Sequence, residues 1–431
     1  MWGICFGTRL RQITRAVWAT LMKIEQIDLV GRQIDFEAPQ HVREAITSLG
    51  RTEDVRFSPS NRRLAVAEHL NDKIAVFGVS IDPARNSKRI TVTSVARISS
   101  THLKRPHGLD FIDDDRIVVA NREGQACIFE LPSDAVGNCD LEPLAVFDFH
   151  GILSPGSVAV TKTKQGLYEA LLCNDFANEI TRHLFDFGRG CSFKSNTVLL
   201  RKWIQFPDGI SVSKQRQWIA VSNHDTNAIF LYKNDPSLNP SSNPDGVLRH
   251  YYPHGLRFAS ADRFVIAASA GSPYVNIYQA SDSDWRGVHN PVLSIKVLSN
   301  EDFVRERSSR ENGGPKGIDI NNAMDVLVIT CQQQPLAFFD LDSILKSAHL
   351  QSHIPSPEFG NDIAFSSNSV MVENWLGVRK ALDVRYQLYL GKITATFTFC
   401  IRWVLKKIPV LSLALNRGRK LLNRKFRTQP Y

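Results

Sequence analysis

The sequence predicts an all-β protein with the architecture of a β-propeller. Two observations lead to this prediction: a sequence pattern that repeats, and the strand character of each copy. Every strong copy opens with proline, a variable residue and glycine, and continues with alternating apolar and polar residues, a polar turn and a β-branched run. The four strong copies are Pro106–Leu131, Pro207–Tyr232, Pro253–Tyr278 and Pro315–Asp340.

The spacing of the copies indicates their number and size. Weaker copies occupy Thr52–Phe77, Pro155–His183 and Asn361–Asn374, and the average step is about 51 residues. This length accommodates one four-stranded antiparallel blade. We therefore expect seven blades, with six as the alternative, and we expect a strand within residues 24–38 to close the ring by pairing with the last blade.

These boundaries divide the chain into three parts. The propeller is predicted to span residues 23–375, between an N-terminal extension of residues 1–22 and a C-terminal tail of residues 376–431. The tail holds 13 basic residues and one acidic residue, whereas residues 1–375 sum to a net charge of −3 within a total of +9. Because the basic charge is confined to the tail, the composition argues against nucleic-acid binding by the propeller.

The tail has the pattern of a segment that lies on a membrane surface. Its apolar run, Ile393–Leu415, is interrupted by Arg402, Lys406, Lys407 and Pro409, and charges at these positions disfavour a spanning helix. An interfacial segment would instead place aromatic rings at headgroup depth and basic residues against anionic lipid. The alternatives are a protein partner or packing on the propeller. The predicted contacts with membrane or partner are Trp403, Lys406, Lys407, Arg417, Arg419 and Lys420.

Cysteine usage and the N-terminal residues bear on the cellular compartment. Seven cysteines are scattered along the chain without a CxxC pair, as expected of reduced thiols. Arg9, Arg11 and Arg15 interrupt the apolar character that a secretory signal requires. We expect a cytoplasmic monomer, attached peripherally to a membrane if the tail binds lipid.

The variable residue of each copy marks a candidate site. In a four-stranded blade the entry to the first strand and the turn between the second and third strands lie on the same face, so these residues should ring one mouth of the channel. Converging carboxylates and imidazoles there would coordinate a divalent metal or perform acid–base work; the alternative is turn chemistry with surface charge. The ring consists of Glu53, His107, Gly156, Asp208, His254, Lys316 and Asp362.

Several segments resemble known propeller families. LAVAEHLNDKIAVF is similar to the end of an NHL repeat, and PDGISV, PHGLRF and SPSNRRLAVAE resemble blades of gluconolactonase and senescence-marker proteins. This resemblance implies a divalent metal held by Glu53 and Asp208, with Asp208 also a general base. The family's asparagine ligands do not carry over, so His107 and His254 would complete the metal shell and share the catalytic work.

A second candidate set ends the second strand of each copy. Asparagine recurs there, and such residues either bond the backbone of a turn or contact a ligand. The predicted ligand contacts are Asn121, Asn174 and Asn223.

Two functions from different classes follow. The first is a non-enzymatic propeller that binds a small ligand or a protein through the funnel, the mouth where the variable residues meet. The alternative is a metal-dependent hydrolase of lactones or small esters. Motifs of nucleotide-binding proteins and serine hydrolases are absent from the sequence.

Overall fold

Six β-sheets form a ring around a central channel, which confirms the predicted β-propeller. The computed structural model describes residues 26–27, 32–84, 89–133, 136–149, 151–188, 190–305 and 313–352. Each sheet is one blade. In the described part of the chain, no helix has the length and hydropathy that crossing a bilayer requires.

Each blade contains four antiparallel strands, and the order below is from the channel outward. Blade 1 consists of Thr52–Phe57, Arg63–Glu68, Lys73–Ile81 and Ile90–Ser99; blade 2 of Pro106–Phe111, Arg116–Asn121, Cys127–Glu130 and Ala145–Val146; and blade 3 of Pro155–Lys162, Tyr168–Asn174, Glu179–Phe187 and Cys191–Leu200. Blade 4 consists of Pro207–Val212, Trp218–Asn223, Ala228–Lys233 and Gly246–Arg249; blade 5 of Pro253–Ala259, Phe264–Ser269, Tyr274–Gln279 and Leu293–Lys296; and blade 6 of Gly317–Ile320, Val326–Thr330, Ala337–Asp340 and Gln33–Ile34.

The preferred count of seven blades is wrong, and the alternative of six is correct. The fourth strand of blade 6 is Gln33–Ile34, which pairs antiparallel with Ala337–Asp340. Blade 6 also joins blade 1 directly, because the Phe57 N–H donates to Asp319 Oδ2 at 2.7 Å. The expected closure by an N-terminal strand therefore occurs one blade earlier than predicted, and it leaves no gap for another blade. The weak copy at residues 361–374 lies outside the described residues.

Further short segments cover the outer edges of three blades. Gly137–Asp140, Gly287–His289 and Gln26–Ile27 pair in parallel with the fourth strands of blades 1, 4 and 5. An unpaired outer strand would offer its backbone to another chain, so this coverage protects the edges. The described helices are Gln40–Thr47, Asn300–Arg305 and Leu341–Ser352, with 3-10 turns at His69–Asn71 and Ser281–Ser283.

The core lies between the faces of neighbouring blades. Val66 and Phe77 of blade 1, for example, pack with Val328 and Phe338 of blade 6 in one buried cluster. The strands are buried on both faces because each sheet is sandwiched between two others, which explains their nearly continuous apolar runs. The burial of these runs stabilises the ring.

The glycine of the Pro-x-Gly pattern allows the inner strands to approach one another. These residues lie within the first strand of their blade and not in a separate turn. A Cβ atom on Gly209 would lie 2.2 Å from the carbonyl oxygen of His254, and one on Gly255 would lie 2.5 Å from that of Lys316. The repeated glycine is thus a requirement of packing between blades.

Aspartates in the channel connect the inner strands. Asp54 accepts a hydrogen bond from the Leu109 N–H at 3.1 Å, and Asp110 accepts one from the Val160 N–H at 2.7 Å. Arg56 lies among them and forms an ion pair with Asp54. Each carboxylate thereby bridges one blade to the next.

Asp110 makes the stability of the protein depend on pH. Burial raises its pKa from 3.8 to about 7, although the charge of Arg56 opposes this. Between pH 3.8 and about 7 the folded protein therefore binds a proton that the unfolded chain releases. Its free energy of unfolding falls as the pH rises through this window. Relative to Asp110→Asn, we expect the wild type to lose up to ~1.4 kcal/mol per pH unit across the middle of that window. Urea unfolding across this range measures the difference, and a pH-independent difference would contradict the assignment.

Candidate functional site

A β-bulge in the inner strand directs the variable residue of four blades into the mouth of the channel. The ladder register breaks between Pro106 and Gly108, and between Pro207 and Gly209, so His107 and Asp208 are the extra residues. Blades 1 and 5 have equivalent breaks at Glu53 and His254. Because a bulge re-aims the side chain it carries, the bulges bring these four residues to one place.

The four predicted site residues converge in a buried cluster. Nε2 of His107 lies 3.4 Å from Glu53 Oε2, and Nε2 of His254 lies 3.3 Å from the same oxygen. His254 Nε2 is also 3.1 Å from Asp208 Oδ2. The two imidazole rings stack with their centroids 5.3 Å apart. The predicted ring at one mouth is therefore present for these residues, while Asp362 lies outside the described part of the chain.

Three cations neutralise this cluster. Lys316 Nζ lies 2.8 Å and 2.7 Å from the two oxygens of Glu53, and Arg51 Nε contacts the same carboxylate. Nη2 of Arg122 donates to Asp208 Oδ1 at 2.6 Å, and Arg122 also pairs with the buried Asp175. Three carboxylates thus face three cations.

The cations and imidazoles determine the ionisation of the acids. Burial would raise the pKa of Glu53, but the nearby charges, led by Lys316, hold it well below its usual range. Burial would also raise the pKa of Asp208, but its interactions with His254, His224 and Arg122 hold it well below its usual range. A carboxylate of such low basicity is poorly suited to the general-base role predicted for Asp208.

His107 is held neutral in one tautomer. Its burial lowers its pKa well below the ordinary value, and the charge of Arg122 adds to this effect. Its Nδ1 lies 2.7 Å from the carbonyl oxygen of Gly156, so Nδ1 carries the hydrogen and donates it. Nε2 therefore accepts the 2.6 Å hydrogen bond from Arg122. The lone pair of His107 is already engaged by a cation.

The donor atoms fit a metal by type and spacing, but the charges around them do not. Among the described residues, one atom each of Glu53, His107 and His254 lie within 4.8 Å of one another. His254 Nε2 is buried and makes no hydrogen bond of good geometry. However, Lys316 engages both oxygens of Glu53, and a divalent cation would add charge to a neutral buried cluster. The site does not fit a resident divalent metal.

The predicted ligand contacts Asn121, Asn174 and Asn223 have a structural role instead. Each is fully buried, and each Oδ1 accepts a hydrogen bond from the backbone that leads into the first strand of the same blade. Each amide nitrogen also donates within its own blade. With their polar atoms engaged in this way, these asparagines hold the strand entry, and the ligand-contact prediction is corrected.

The residues that follow these positions belong to the site. They were not predicted from the sequence as a set. Arg122 follows Asn121, Asp175 follows Asn174 and His224 follows Asn223. Blade 1 has the equivalent His69 after Glu68. Aligning the blades one residue further would have revealed these charged and imidazole side chains. Their pairing partners, however, come from other blades and leave no local signal.

The cluster forms the floor of a cavity of about 260 Å³ at the funnel. Its walls combine cationic, imidazole and aromatic side chains, which suits a small polar ligand. The cavity is lined by Arg51, Arg122, Lys316, His69, His107, His224, His254, Asp208, Phe176, Phe206, Tyr252 and Ala270. The tail residues Trp403, Lys406, Lys407, Arg417, Arg419 and Lys420 lie outside the described residues, and their predicted role stays a prediction.

Comparison with known proteins supplies a structural neighbour. No model of a protein family matches the sequence, and neither does any curated protein. Among solved structures, the chain is similar to one described as a "putative gluconolactonase", with 12% identity and a TM-score of 0.44 over 68% of this chain and 89% of the other. That protein carries the name of the family that the sequence was predicted to resemble. At such low identity the likeness does not bear on the chemistry of the site.

Proposed function

We propose that this propeller is a binding protein for a small organic anion, such as a carboxylate, which enters the funnel. The observation that carries the proposal is the order of charges between the cluster and solvent. The side chains of Arg51 and Arg122 are 31% and 17% exposed, whereas those of Glu53 and Asp208 are 0% and 1% exposed. A ligand at the mouth therefore meets the cations first.

The geometry of the cations supports recognition of an anion. A guanidinium group has five N–H donors, and the carboxylates below occupy only part of this capacity in Arg51 and Arg122. Planar guanidinium groups bind carboxylates or phosphates through paired hydrogen bonds. His224 adds a ring at the same mouth, 5.7 Å from that of His254. The carboxylates beneath hold the cationic side chains in place. This lowers the conformational entropy that these side chains lose when the ligand binds.

A substitution at Arg51 tests the proposal. We expect Arg51→Gln to weaken the binding of butyrate about ten-fold, because it removes a charge-assisted hydrogen bond while Lys316 still pairs with Glu53. Titration calorimetry at low ionic strength measures the affinity. Arg105→Gln is the matched control, since Arg105 has the equivalent position in blade 2 but does not line the cavity. The proposal fails if the wild type binds neither butyrate nor inorganic phosphate.

A metal-dependent hydrolase of lactones or small esters is the second candidate. The convergence of Glu53, His107 and His254 favours it. Because Lys316 competes with a metal for Glu53, we expect purified wild type to contain no stoichiometric zinc or manganese by mass spectrometry. We expect Lys316→Met to bind Zn²⁺ more tightly than the wild type, since it removes the cation that engages both oxygens of Glu53 beside His254 Nε2. Lys346→Met, at an exposed lysine, is the control.

A metal bound to the wild-type protein would favour the hydrolase over the anion-binding protein. Stoichiometric metal in the wild type that is lost in Glu53→Gln would place the hydrolase first. A screen of lactones and small esters would then follow.

A further inference from the structure

Five rings in successive stacked, tilted or edge-to-face contact form a continuous arc along one side of the funnel. We call this the aromatic arc, and it consists of Phe176, Phe206, His224, Tyr252 and Tyr251. Ring centroids are 5.8 Å apart for Phe176 and Phe206, 5.7 Å for Phe206 and His224, 5.1 Å for His224 and Tyr252, and 5.7 Å for Tyr252 and Tyr251. The arc crosses blades 3, 4 and 5.

The backbone presents two of these rings in an uncommon conformation. Phe206 and Tyr252 immediately precede the proline of their blade and have φ values of 51° and 49°. Arg105 and Ser154 occupy the same position in blades 2 and 3 with similar values, so the left-handed conformation belongs to the strand entry. This conformation is unfavourable for residues with bulky side chains. Blades 4 and 5 nevertheless use this position for aromatic rings.

The ends of the aromatic arc are open to solvent. Phe176 is 65% exposed and Tyr251 is 38% exposed, and Leu153 beside the entry to blade 3 is 53% exposed. Single exposed apolar residues are ordinary, but an adjoining set beside a cavity is typical of a binding surface. This side of the funnel therefore offers apolar area that the described residues do not cover.

The aromatic arc adjoins the cations of the proposed anion site. The guanidinium carbon of Arg122 lies 5.5 Å from the centroid of Phe206, and both side chains line the cavity. A ligand whose anionic group reaches Arg122 therefore has the aromatic arc immediately beside it. Resting on the proposed function, we infer that the natural ligand is an amphipathic anion whose apolar tail lies on the aromatic arc.

A series of straight-chain carboxylates tests this inference. Acetate, butyrate, hexanoate and octanoate share one anionic group and differ only in apolar length. Since contact on one side buries about half of each methylene, we expect the affinity of the wild type to rise about two-fold per added methylene. Titration calorimetry measures each affinity in the same buffer.

Substitution of the exposed ends identifies the surface responsible. In the double variant Phe176→Ser, Tyr251→Ser we expect the ratio of the octanoate affinity to the acetate affinity to fall about ten-fold. Both residues are exposed, so the fold should be retained. The matched control is Val136→Ser, Leu144→Ser, which removes two exposed apolar residues that line no part of the cavity.

The outcomes separate this inference from the proposed function. Equal affinities for acetate and octanoate in the wild type would overturn the inference but leave the anion site intact. If the affinity of the double variant still rose with the length of the carboxylate, the inference would also be overturned, because the apolar tail of the ligand would then lie elsewhere. Absence of binding by every carboxylate and by phosphate would refute the proposed function itself.

Discussion

The variant Glu53→Gln is expected to have a free energy of unfolding about 3–5 kcal/mol lower than that of the wild type. Glu53 is fully buried and accepts from Lys316 Nζ at both oxygens. Removing its charge leaves a buried ammonium group without its partner, which is far more costly than losing an exposed ion pair. Urea unfolding followed by circular dichroism measures the loss.

The double variant Glu53→Gln, Lys316→Met distinguishes the contribution of the Glu53–Lys316 ion pair to stability from the contribution of the site around it. Because it removes both charges, we expect it to recover at least half of the stability lost in Glu53→Gln, and the two single variants and the double variant form a thermodynamic cycle. A Glu53→Gln protein within about 1 kcal/mol of the wild type would show that the ion pair is not held as the structure describes it.

Replacing Gly209 by alanine should destabilise the protein by about 3 kcal/mol. The added Cβ would lie 2.2 Å from the carbonyl oxygen of His254 and 2.9 Å from Ser222 Oγ. The carbonyl belongs to the inner strand of the next blade, so relief requires that two blades move apart. Thermal and urea unfolding would both record the change.

Gly188→Ala is the matched control for this substitution. Among the residues that the structure describes, no atom lies within 4 Å of a Cβ at Gly188, and its backbone is not left-handed. We expect its stability to stay within about 1 kcal/mol of the wild type. If Gly209→Ala changed the free energy of unfolding as little as Gly188→Ala, the Pro-x-Gly pattern would be a local turn signal and not a requirement of packing between blades.

The repeat carried most of the information about the fold. Alternation and spacing located the inner strands correctly, and the position of the variable residue placed His107 and Asp208 at one mouth. The blade count was misjudged because the weak copy at residues 361–374 was counted as a seventh blade, whereas the closing strand Gln33–Ile34 completes the blade that begins at Gly317. Strand pairing between distant segments has no periodic signature in a single sequence.

The predicted site residues lie together at one mouth of the channel, and their function stays a prediction. Glu53, His107, Asp208 and His254 could be selected because their positions repeat along the chain. Lys316 occupies the same repeated position, but its pairing with Glu53, 263 residues away, leaves no local signal in the sequence. Arg122 lies outside that position, and its pairing with Asp208, 86 residues away, could not be predicted either. Without those partners, the same acids and imidazoles indicated a metal centre.

The sequence by itself determined the all-β architecture, the repeated blade and the face on which the site lies, because these follow from local alternation and from the repeat. Only the tertiary structure decided the number of blades and the electrostatic character of the funnel. Closure of the ring brings residues of different blades together, and the charge of a buried site depends on which of them become neighbours.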